Sequence, residues 1–289
     1  MSDVSASVGV AVRAAVAGYD RISALGLWRR GGVRRWRKGG RDLVTEADLE
    51  SRAAVLEVIR GRYPGDVLLD EESTGGPHLP PGRVWVVDPL DGTVNFASGL
   101  PLWSVSVAAV VGGDVVAGAV AESSGVVYSA GAGLPSLRDG HPVCPSRVRV
   151  LGDAVVSVTV APGFSPEQEA RACECIRRLA SRARGVRVFC SGALELCWLA
   201  EGRLDACVCV SPAFYSAAAG ALVARGAGCE VLDLDGRPYR TGQSAGLVAA
   251  ATPELAREVL DVLAGCSGSG GMGTGQAPAP SDIAVSEVV

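Results

Sequence analysis

The chain has 289 residues, of which 48% are hydrophobic and 20% are charged. This length and composition indicate a globular protein with a sizeable core. The net charge of -4 argues against a dedicated nucleic-acid-binding protein, and no apolar run reaches the roughly 18 residues that a membrane-spanning helix needs.

Nine cysteines are scattered through apolar segments. Cys173 with Cys175, and Cys207 with Cys209, form Cys-x-Cys pairs that could indicate a zinc site. Because there are only two histidines and no Cys-x2-Cys pair, we favour buried free thiols. The N-terminus lacks the pattern of a signal peptide, so we predict a protein of the reducing cytoplasm.

The first half of the chain begins with apolar residues at helical spacing over residues 4–27. An arginine-rich stretch follows at 29–41, and a second helix is predicted from Thr45, with Asp48 completing a capping box. Residues 67–69 and 84–87 are predicted buried strands, each ending in acidic residues. Residues 104–130 have the pattern of an antiparallel meander.

The second half of the chain alternates helices and strands. The predicted elements are helices at 165–184, 192–200, 216–225 and 252–263, and strands at 186–189, 204–210, 230–232 and 247–251. Residues 265–289 are rich in Gly, Ser, Pro and Ala, which predicts a disordered tail. We therefore expect residues 1–264 to form one domain with two packed halves, at about 1–145 and 146–264.

The candidate site is the segment 88–96, Asp-Pro-Leu-Asp-Gly-Thr-Val-Asn-Phe. Pro89 restricts the backbone, so that Asp88, Asp91 and the Leu90 carbonyl can converge on one point. Oxygen ligands of this kind are what Mg²⁺ prefers. A turn rich in aspartate would be the simpler interpretation, but the acids of the neighbouring strand and of residues 42–48 favour a site.

Four stretches carry a resemblance to a known family: DLVTEAD (42–48), DEES (70–73), WVVDPLDGTVNF (85–96) and GLP (99–101). They resemble the inositol monophosphatase-like family of Mg²⁺-dependent phosphatases, and the resemblance extends over about residues 40–255. It implies an α/β (α+β) fold, an alternating αβαβα layered sandwich of the inositol monophosphatase and fructose-1,6-bisphosphatase type. It also implies hydrolysis of a phosphomonoester with Mg²⁺ as cofactor.

The resemblance implies a role for each matching position. The metal ligands would be Glu71, Asp88, the Leu90 carbonyl and Asp91, with Asp88 shared between two metals. Thr93, paired with Asp48, would activate the attacking water, and the amides of Gly92 and Thr93 would hold the phosphate. The substrate-binding positions would be Ser191, Gly192, Cys209 and Ser216.

Three positions depart from the family pattern. Ser216 stands where the family has its last metal-ligating Asp, which weakens the second metal site. Cys209 replaces a Glu that grips a sugar hydroxyl, and Cys190 replaces a Gly. We therefore expect a substrate other than inositol phosphate, such as a nucleotide, amino-alcohol or secondary-metabolite phosphate with a less polar or aromatic part.

Two alternatives to an efficient phosphatase remain open at this point. A member weakened by Ser216 could bind a phosphorylated ligand without efficient hydrolysis, or could catalyse another reaction with one metal. The arginine-rich residues 29–41 could bind nucleic acid, but a mobile loop that attracts a phosphorylated substrate is favoured. The expected partners are a small phosphorylated metabolite and a second copy of the chain, since dimers are common in the family; neither nucleic acid nor a membrane is expected.

Overall fold

Helices and three sheets account for the regions that the computed structural model describes, residues 2–26, 34–39, 42–71 and 79–264. The α-helices there are α1 (Ser2–Leu25), α2 (Glu46–Arg62), α3 (Thr93–Ala97), α4 (Pro166–Ala180), α5 (Gly192–Ala200), α6 (Phe214–Ala227) and α7 (Pro253–Leu263). A short 3-10 helix spans Leu151–Asp153. None of the described helices is both long and apolar enough to cross a membrane.

The larger sheet has seven strands in sequence order, with only the first pair parallel. Its strands are β3 (Val67–Asp70), β4 (Arg83–Asp91), β5 (Ser104–Val111), β6 (Asp114–Glu122), β7 (Val127–Gly131), β8 (Leu137–Arg138) and β9 (His141–Pro142). The predicted meander is its central part. Because β3 and β4 are parallel, their C-terminal acids lie at the same edge of the sheet.

The smaller sheet has five strands in the order β11-β10-β12-β14-β13. Its strands are β10 (Val155–Val158), β11 (Gly185–Arg187), β12 (Ala206–Cys209), β13 (Glu230–Leu232) and β14 (Leu247–Ala250). The first three strands are parallel to one another, and β14 is antiparallel to both of its neighbours. The seven-stranded sheet ends at Pro142 and this one begins at Val155; the assignment of one domain with two halves stays a prediction.

The helices form three layers around the two sheets. α1 and α2 cover one face of the seven-stranded sheet, and α5 and α6 fill the space between its other face and the five-stranded sheet. α4 and α7 cover the outer face of the five-stranded sheet. The predicted αβαβα sandwich is therefore confirmed, and each sheet buries both faces, as the nearly continuous apolar residues of β4 and β5 require.

Helix α2 begins as its sequence predicts. The Thr45 side chain caps the helix, and the Asp48 carboxylate accepts hydrogen bonds from the Thr45 amide and hydroxyl at 2.7 and 2.6 Å. This capping box fixes Asp48 in the buried first turn of α2. The orientation of Asp48 is thus set by helix-capping chemistry before any role in a site is considered.

Several elements differ from the sequence predictions. Helix α4 ends at Ala180 instead of residue 184, because Ser181 begins a turn in which the amides of Arg182 and Ala183 both reach the Leu179 carbonyl. Strand β10 and helix α3 were not predicted. The predicted disordered tail, 265–289, lies outside the described residues.

The prediction of a mobile loop at 29–41 is partly wrong. Strand β1 (Arg35–Gly39) pairs with β2 (Asp42–Thr45) in an antiparallel hairpin. The guanidinium of Arg34 anchors this hairpin to Glu46 at 2.6 Å, and the Glu46 amide donates to the Arg34 carbonyl. Residues 29–33 and 40–41 lie outside the described residues.

Candidate active site

A cavity of about 410 Å³ lies where β4 ends and where α5 and α6 begin. The predicted site residues that line it are Glu71, Asp88, Leu90, Asp91, Gly92, Thr93, Gly192, Cys209 and Ser216. Asp48 and Ser191 stand behind this lining and hydrogen bond to residues that form it. The fold thus brings residues that are up to 168 positions apart in the sequence, from Asp48 to Ser216, to one cavity.

Three acidic side chains, those of Glu71, Asp88 and Asp91, interact electrostatically near the end of β4. Asp88 is only 2% exposed, and its pKa is raised well above the ordinary value by burial and by the negative charges of Glu71 and Asp91. Burial also raises the pKa of Asp91 to about 6, although hydrogen bonds from Ser191 and Ala193 oppose the shift. Such a cluster is electrostatically costly, and a bound cation would offset this cost.

The Asp91 carboxylate is held by the start of α5. Its Oδ2 atom accepts hydrogen bonds from the Ser191 hydroxyl at 2.8 Å and from the Ala193 amide at 2.9 Å. The Ser104 hydroxyl on β5 is a third, longer contact at 3.4 Å. Ser191 therefore positions Asp91 from behind the cavity, which differs from the predicted role in direct substrate binding.

Thr93 links the carboxylates to Asp48. Its hydroxyl lies 3.0 Å from Asp48 Oδ1 and 2.9 Å from the Leu90 carbonyl oxygen. A hydroxyl has one hydrogen, so donation to Asp48 leaves the Leu90 carbonyl available to a cation and the Thr93 oxygen available to accept a proton. The predicted Thr93–Asp48 pair therefore has the geometry of a proton relay.

Gly92 turns the chain from β4 into α3 with a left-handed φ of 95°. A Cβ atom at this position would lie 2.6 Å from the Leu102 carbonyl oxygen. Only glycine fits this turn, and both Gly92 and Thr93 line the cavity. The role of the amides of Gly92 and Thr93 in binding phosphate stays a prediction.

The ligand set suits a hard cation. Glu71, Asp88, Asp91 and the Leu90 carbonyl offer only oxygen atoms, which Mg²⁺ prefers. Among the described residues, no three His, Cys, Asp or Glu side chains already converge as a preformed metal site. Asp88 and Asp91 instead accept hydrogen bonds from hydroxyl and amide donors. The assignment of the metal ligands therefore stays a prediction, which the oxygen chemistry of the ligands and the repulsion between the carboxylates support.

Ser216 lies at the start of α6 and donates a hydrogen bond of 2.5 Å to Asp88 Oδ2. It occupies the position where a fourth carboxylate would face Asp88. A neutral hydroxyl at this point satisfies Asp88 without adding negative charge. The site thus has fewer charges to balance a second cation than a site with an acid at this position.

Part of the cavity lining, called the apolar wall below, consists of apolar and weakly polar side chains. Phe164, Leu247 and Pro212 form it together with the thiols of Cys190 and Cys209. Cys190 adopts a φ of 58°, which a non-glycine residue rarely does, and its thiol donates to the Val160 carbonyl at 2.9 Å. The described cysteines are free thiols, as predicted, but Cys144 and Cys173 are exposed and not buried.

Three further residues line the cavity and were not predicted from the sequence: Thr159, Gln168 and Glu195. Glu195 is 1% exposed, and burial raises its pKa to about 7. A signal for it was present: Glu195 is the only charged residue of helix α5, Gly-Ala-Leu-Glu-Leu-Cys-Trp-Leu-Ala. A lone acid in such an apolar helix is costly to bury, and this cost indicates a specific contact.

Comparison with known proteins identifies the family of the chain. The model of the inositol monophosphatase family matches residues 8–265. The chain is 37% identical to an inositol-1-monophosphatase of Mycobacterium bovis over 256 residues, which cover 84% of this chain and 86% of that protein. It is 33% identical to a Pasteurella multocida protein named Nus factor SuhB, with coverage of 90% and 96%.

A solved structure gives the same result for the fold. The inositol monophosphatase of Thermotoga maritima superposes with a TM-score of 0.77 at 26% identity, over 92% of this chain and 98% of that one. The family match, the sequence identities and the shared fold each extend over most of the chain. The chain therefore belongs to the inositol monophosphatase family.

Proposed function

We propose that the protein is a Mg²⁺-dependent phosphomonoesterase that hydrolyses a small phosphorylated metabolite by attack of water on phosphorus. Membership of a phosphatase family supports hydrolase activity in general. The observation that carries the proposal is the 3.0 Å hydrogen bond between Thr93 Oγ1 and Asp48 Oδ1, beside the buried carboxylates of Asp88 and Asp91 and the partly buried Glu71. This arrangement combines a proton acceptor with a cation site in one cavity.

Different residues of the chain bind the cation, orient the phosphate and accept the proton of the attacking water. Bound Mg²⁺ would neutralise phosphate charge and lower the pKa of the attacking water. The amides of Gly92 and Thr93 orient the phosphate. The carboxylates of Asp88 and Asp91 would bind the cation. The water gives its proton to Thr93 Oγ1 while the Thr93 hydrogen passes to Asp48 Oδ1.

The apolar and thiol wall supports a substrate other than inositol phosphate. A polyol needs several hydrogen-bonding partners, because each buried hydroxyl without a partner costs free energy. Cys209 offers only a weak donor, and Leu247 and Phe164 offer no polar side-chain group. A phosphate ester with a less polar or aromatic alcohol part fits this wall better.

A phosphate-release screen tests the proposal. Sugar, nucleotide, amino-alcohol and aryl phosphates are incubated with the protein, with Mg²⁺ or with a chelator. We expect release from at least one ester with Mg²⁺ only, and its loss in Asp88→Asn. Asp235→Asn is the matched control, because Asp235 is 64% exposed and lies on a turn away from the cavity.

A second candidate function rests on Ser216. Since Ser216 Oγ donates to Asp88 at 2.5 Å in place of a charged ligand, the protein could bind a phosphorylated ligand without efficient hydrolysis. The related Pasteurella protein carries the name Nus factor, so a role other than hydrolysis is a candidate for this fold. Mg²⁺ binding without phosphate release from any ester would favour this function.

The assembly and location of the protein are part of the proposal. We infer a cytoplasmic homodimer that acts on a small metabolite, and not on nucleic acid or at a membrane. Sedimentation velocity tests the dimer directly: a single species with the mass of one chain would contradict it.

A further inference from the structure

Helix α5 carries a buried carboxyl group, that of Glu195, which lines the cavity. Glu195 Oε2 accepts a hydrogen bond from the Thr159 hydroxyl at 3.2 Å, and Oε1 accepts one from the Ser191 amide at 3.3 Å. The Ser157 hydroxyl also faces the carboxylate, without normal hydrogen-bond geometry. A carboxylate has about four lone-pair positions, so Glu195 can accept a further donor from the cavity.

None of the ion pairs among the described residues involves Glu195. Its surroundings are apolar or weakly polar: Cys207 and Cys209 on β12 and Leu196 on α5 line the cavity beside it. Charging Glu195 in this environment is unfavourable unless a cation comes with the substrate. Its raised pKa, about 7, reflects this cost.

The position of Glu195 relative to the phosphate end is set by Ser191. The Ser191 hydroxyl contacts Asp91 Oδ2 at 2.8 Å, and the amide of the same residue contacts Glu195 Oε1 at 3.3 Å. The two carboxylates are therefore bridged by one residue. A substrate with its phosphate near Asp91 could reach Glu195 through a short alcohol part.

The chemistry of this wall selects among cations. Mg²⁺ loses its water reluctantly and requires several oxygen ligands, which one carboxylate and two hydroxyls surrounded by thiols do not provide. An alkylammonium group fits better, because it donates hydrogen bonds to Glu195 while its carbon chain packs on Phe164 and Leu247. A neutral hydroxyl would also donate a hydrogen bond but would not balance the charge.

We propose that Glu195 is a specificity-determining residue that selects phosphate esters whose alcohol part carries an amine. This inference rests on the proposed phosphatase function and narrows its substrate class. Glu195 binds the ammonium group of the substrate. At the other end of the substrate, the amides of Gly92 and Thr93 bind the phosphate, and Asp88 and Asp91 bind the cation. The alcohol part between these ends contacts the apolar wall.

Matched ester pairs test the inference. Propanolamine O-phosphate is compared with propanediol monophosphate. Tyramine O-phosphate is compared with tyrosol that carries its phosphate on the phenolic oxygen. Within each pair an ammonium group replaces a hydroxyl, and the two pairs differ in length. We expect kcat/KM to favour the amine at least tenfold in one pair at pH 8. In Glu195→Gln this preference should fall to near one, and in the exposed control Glu254→Gln it should persist.

A measurement on the wild-type protein keeps the test valid if Glu195→Gln does not fold. Between pH 8 and pH 6 Glu195 takes up a proton, so the amine preference should fall, whereas both amines remain charged. The titratable groups that face Glu195 are Asp91 on β4 and the thiols of Cys190, Cys207 and Cys209. The thiols stay neutral in this range because burial raises the pKa of each.

The outcomes separate this inference from the proposed function. Phosphate release from the neutral esters with no amine preference, or with a preference that neither Glu195→Gln nor pH alters, overturns the inference and leaves the phosphatase intact. If no ester is hydrolysed, the phosphatase proposal fails. In that case calorimetry measures the Kd of the protein for each ester of the same pairs. Equal Kd values for the amine and the hydroxyl ester would overturn the inference about Glu195.

Discussion

Ser216→Asp is the substitution that most directly tests how the carboxylate cluster is balanced. It places a fourth carboxylate where a hydroxyl now donates to Asp88 Oδ2 at 2.5 Å. Ser216→Asn is the matched control, because it has the same size as Asp without the charge. Without a cation the new Asp should destabilise the protein, and with Mg²⁺ it should strengthen metal binding.

The expected magnitude follows from the distance. Two carboxylates about 4 Å apart repel by roughly 4 kcal/mol at an effective dielectric constant of 20. Asp88 already has a raised pKa and can take up a proton, which relieves part of this repulsion. Without Mg²⁺ we therefore expect Ser216→Asp to be about 2 kcal/mol less stable than Ser216→Asn.

The assay is urea unfolding with a chelator and with increasing Mg²⁺. A ligand at 100 times its Kd adds about 2.7 kcal/mol to the stability of the folded state. Mg²⁺ should stabilise Ser216→Asp by at least about 1.4 kcal/mol more than wild type, which corresponds to a tenfold gain in affinity. Equal stabilisation of wild type, Ser216→Asp and Ser216→Asn by Mg²⁺ would refute this reasoning.

Three further predictions concern residues on either side of the cation site. Thr93→Val should lower phosphate release at least about 100-fold with Mg²⁺ binding retained, because the proton path to Asp48 is lost; unchanged turnover would contradict it. Gly92→Ala should cost about 2 kcal/mol or more in urea unfolding, because its Cβ would meet the Leu102 carbonyl at 2.6 Å at a positive φ. In a chelating buffer, ionisation of Glu195 should lower the free energy of unfolding as pH rises from 4.5 to about 7. The reason is that the pKa of Glu195 is raised from 4.5 to about 7 in the folded state, so the unfolded chain releases the proton first. Glu195→Gln should remove roughly 3 kcal/mol of this loss between pH 5 and pH 8, and an identical pH profile in both proteins would contradict the assignment.

The local chemistry of the sequence predicted much of the fold. The Thr45–Asp48 capping box begins α2, and Ser165 with Pro166 begins α4, because these residues satisfy free helix amides through contacts a few positions apart. The helix 192–200 and the strand 230–232 match the predicted bounds. Such signals depend on neighbouring residues, so they can be recognised in the sequence without the tertiary structure.

Elements that depend on distant contacts were harder to predict. Strand β1 is rich in arginine and has little intrinsic preference for a sheet; it forms by pairing with β2 and by the Arg34–Glu46 contact. Strand β10 has only four residues, and it is stabilised by parallel neighbours from residues 185–187 and 206–209. Pairing partners this far along the chain leave no periodic signal in the sequence of the strand itself.

The site shows the same division between near and distant contacts. The segment 88–96 indicated the position of the cavity, because its residues are close together in the sequence and several of them line it. Glu195 was missed because its meaning depends on burial against β12 and on Thr159, which the sequence around it does not reveal. Ser191 lies near the predicted place but contacts Asp91 from behind the cavity.

The measurement that tests the central claim most directly is hydrolysis in water labelled with oxygen-18. A preferred ester from the screen is turned over with Mg²⁺, and mass spectrometry locates the label in the products. Attack of water on phosphorus, with the proton passing to Thr93 and Asp48, predicts one labelled oxygen in the released phosphate and none in the alcohol. Label in the alcohol, or the absence of any phosphate release from the ester panel, would contradict the account.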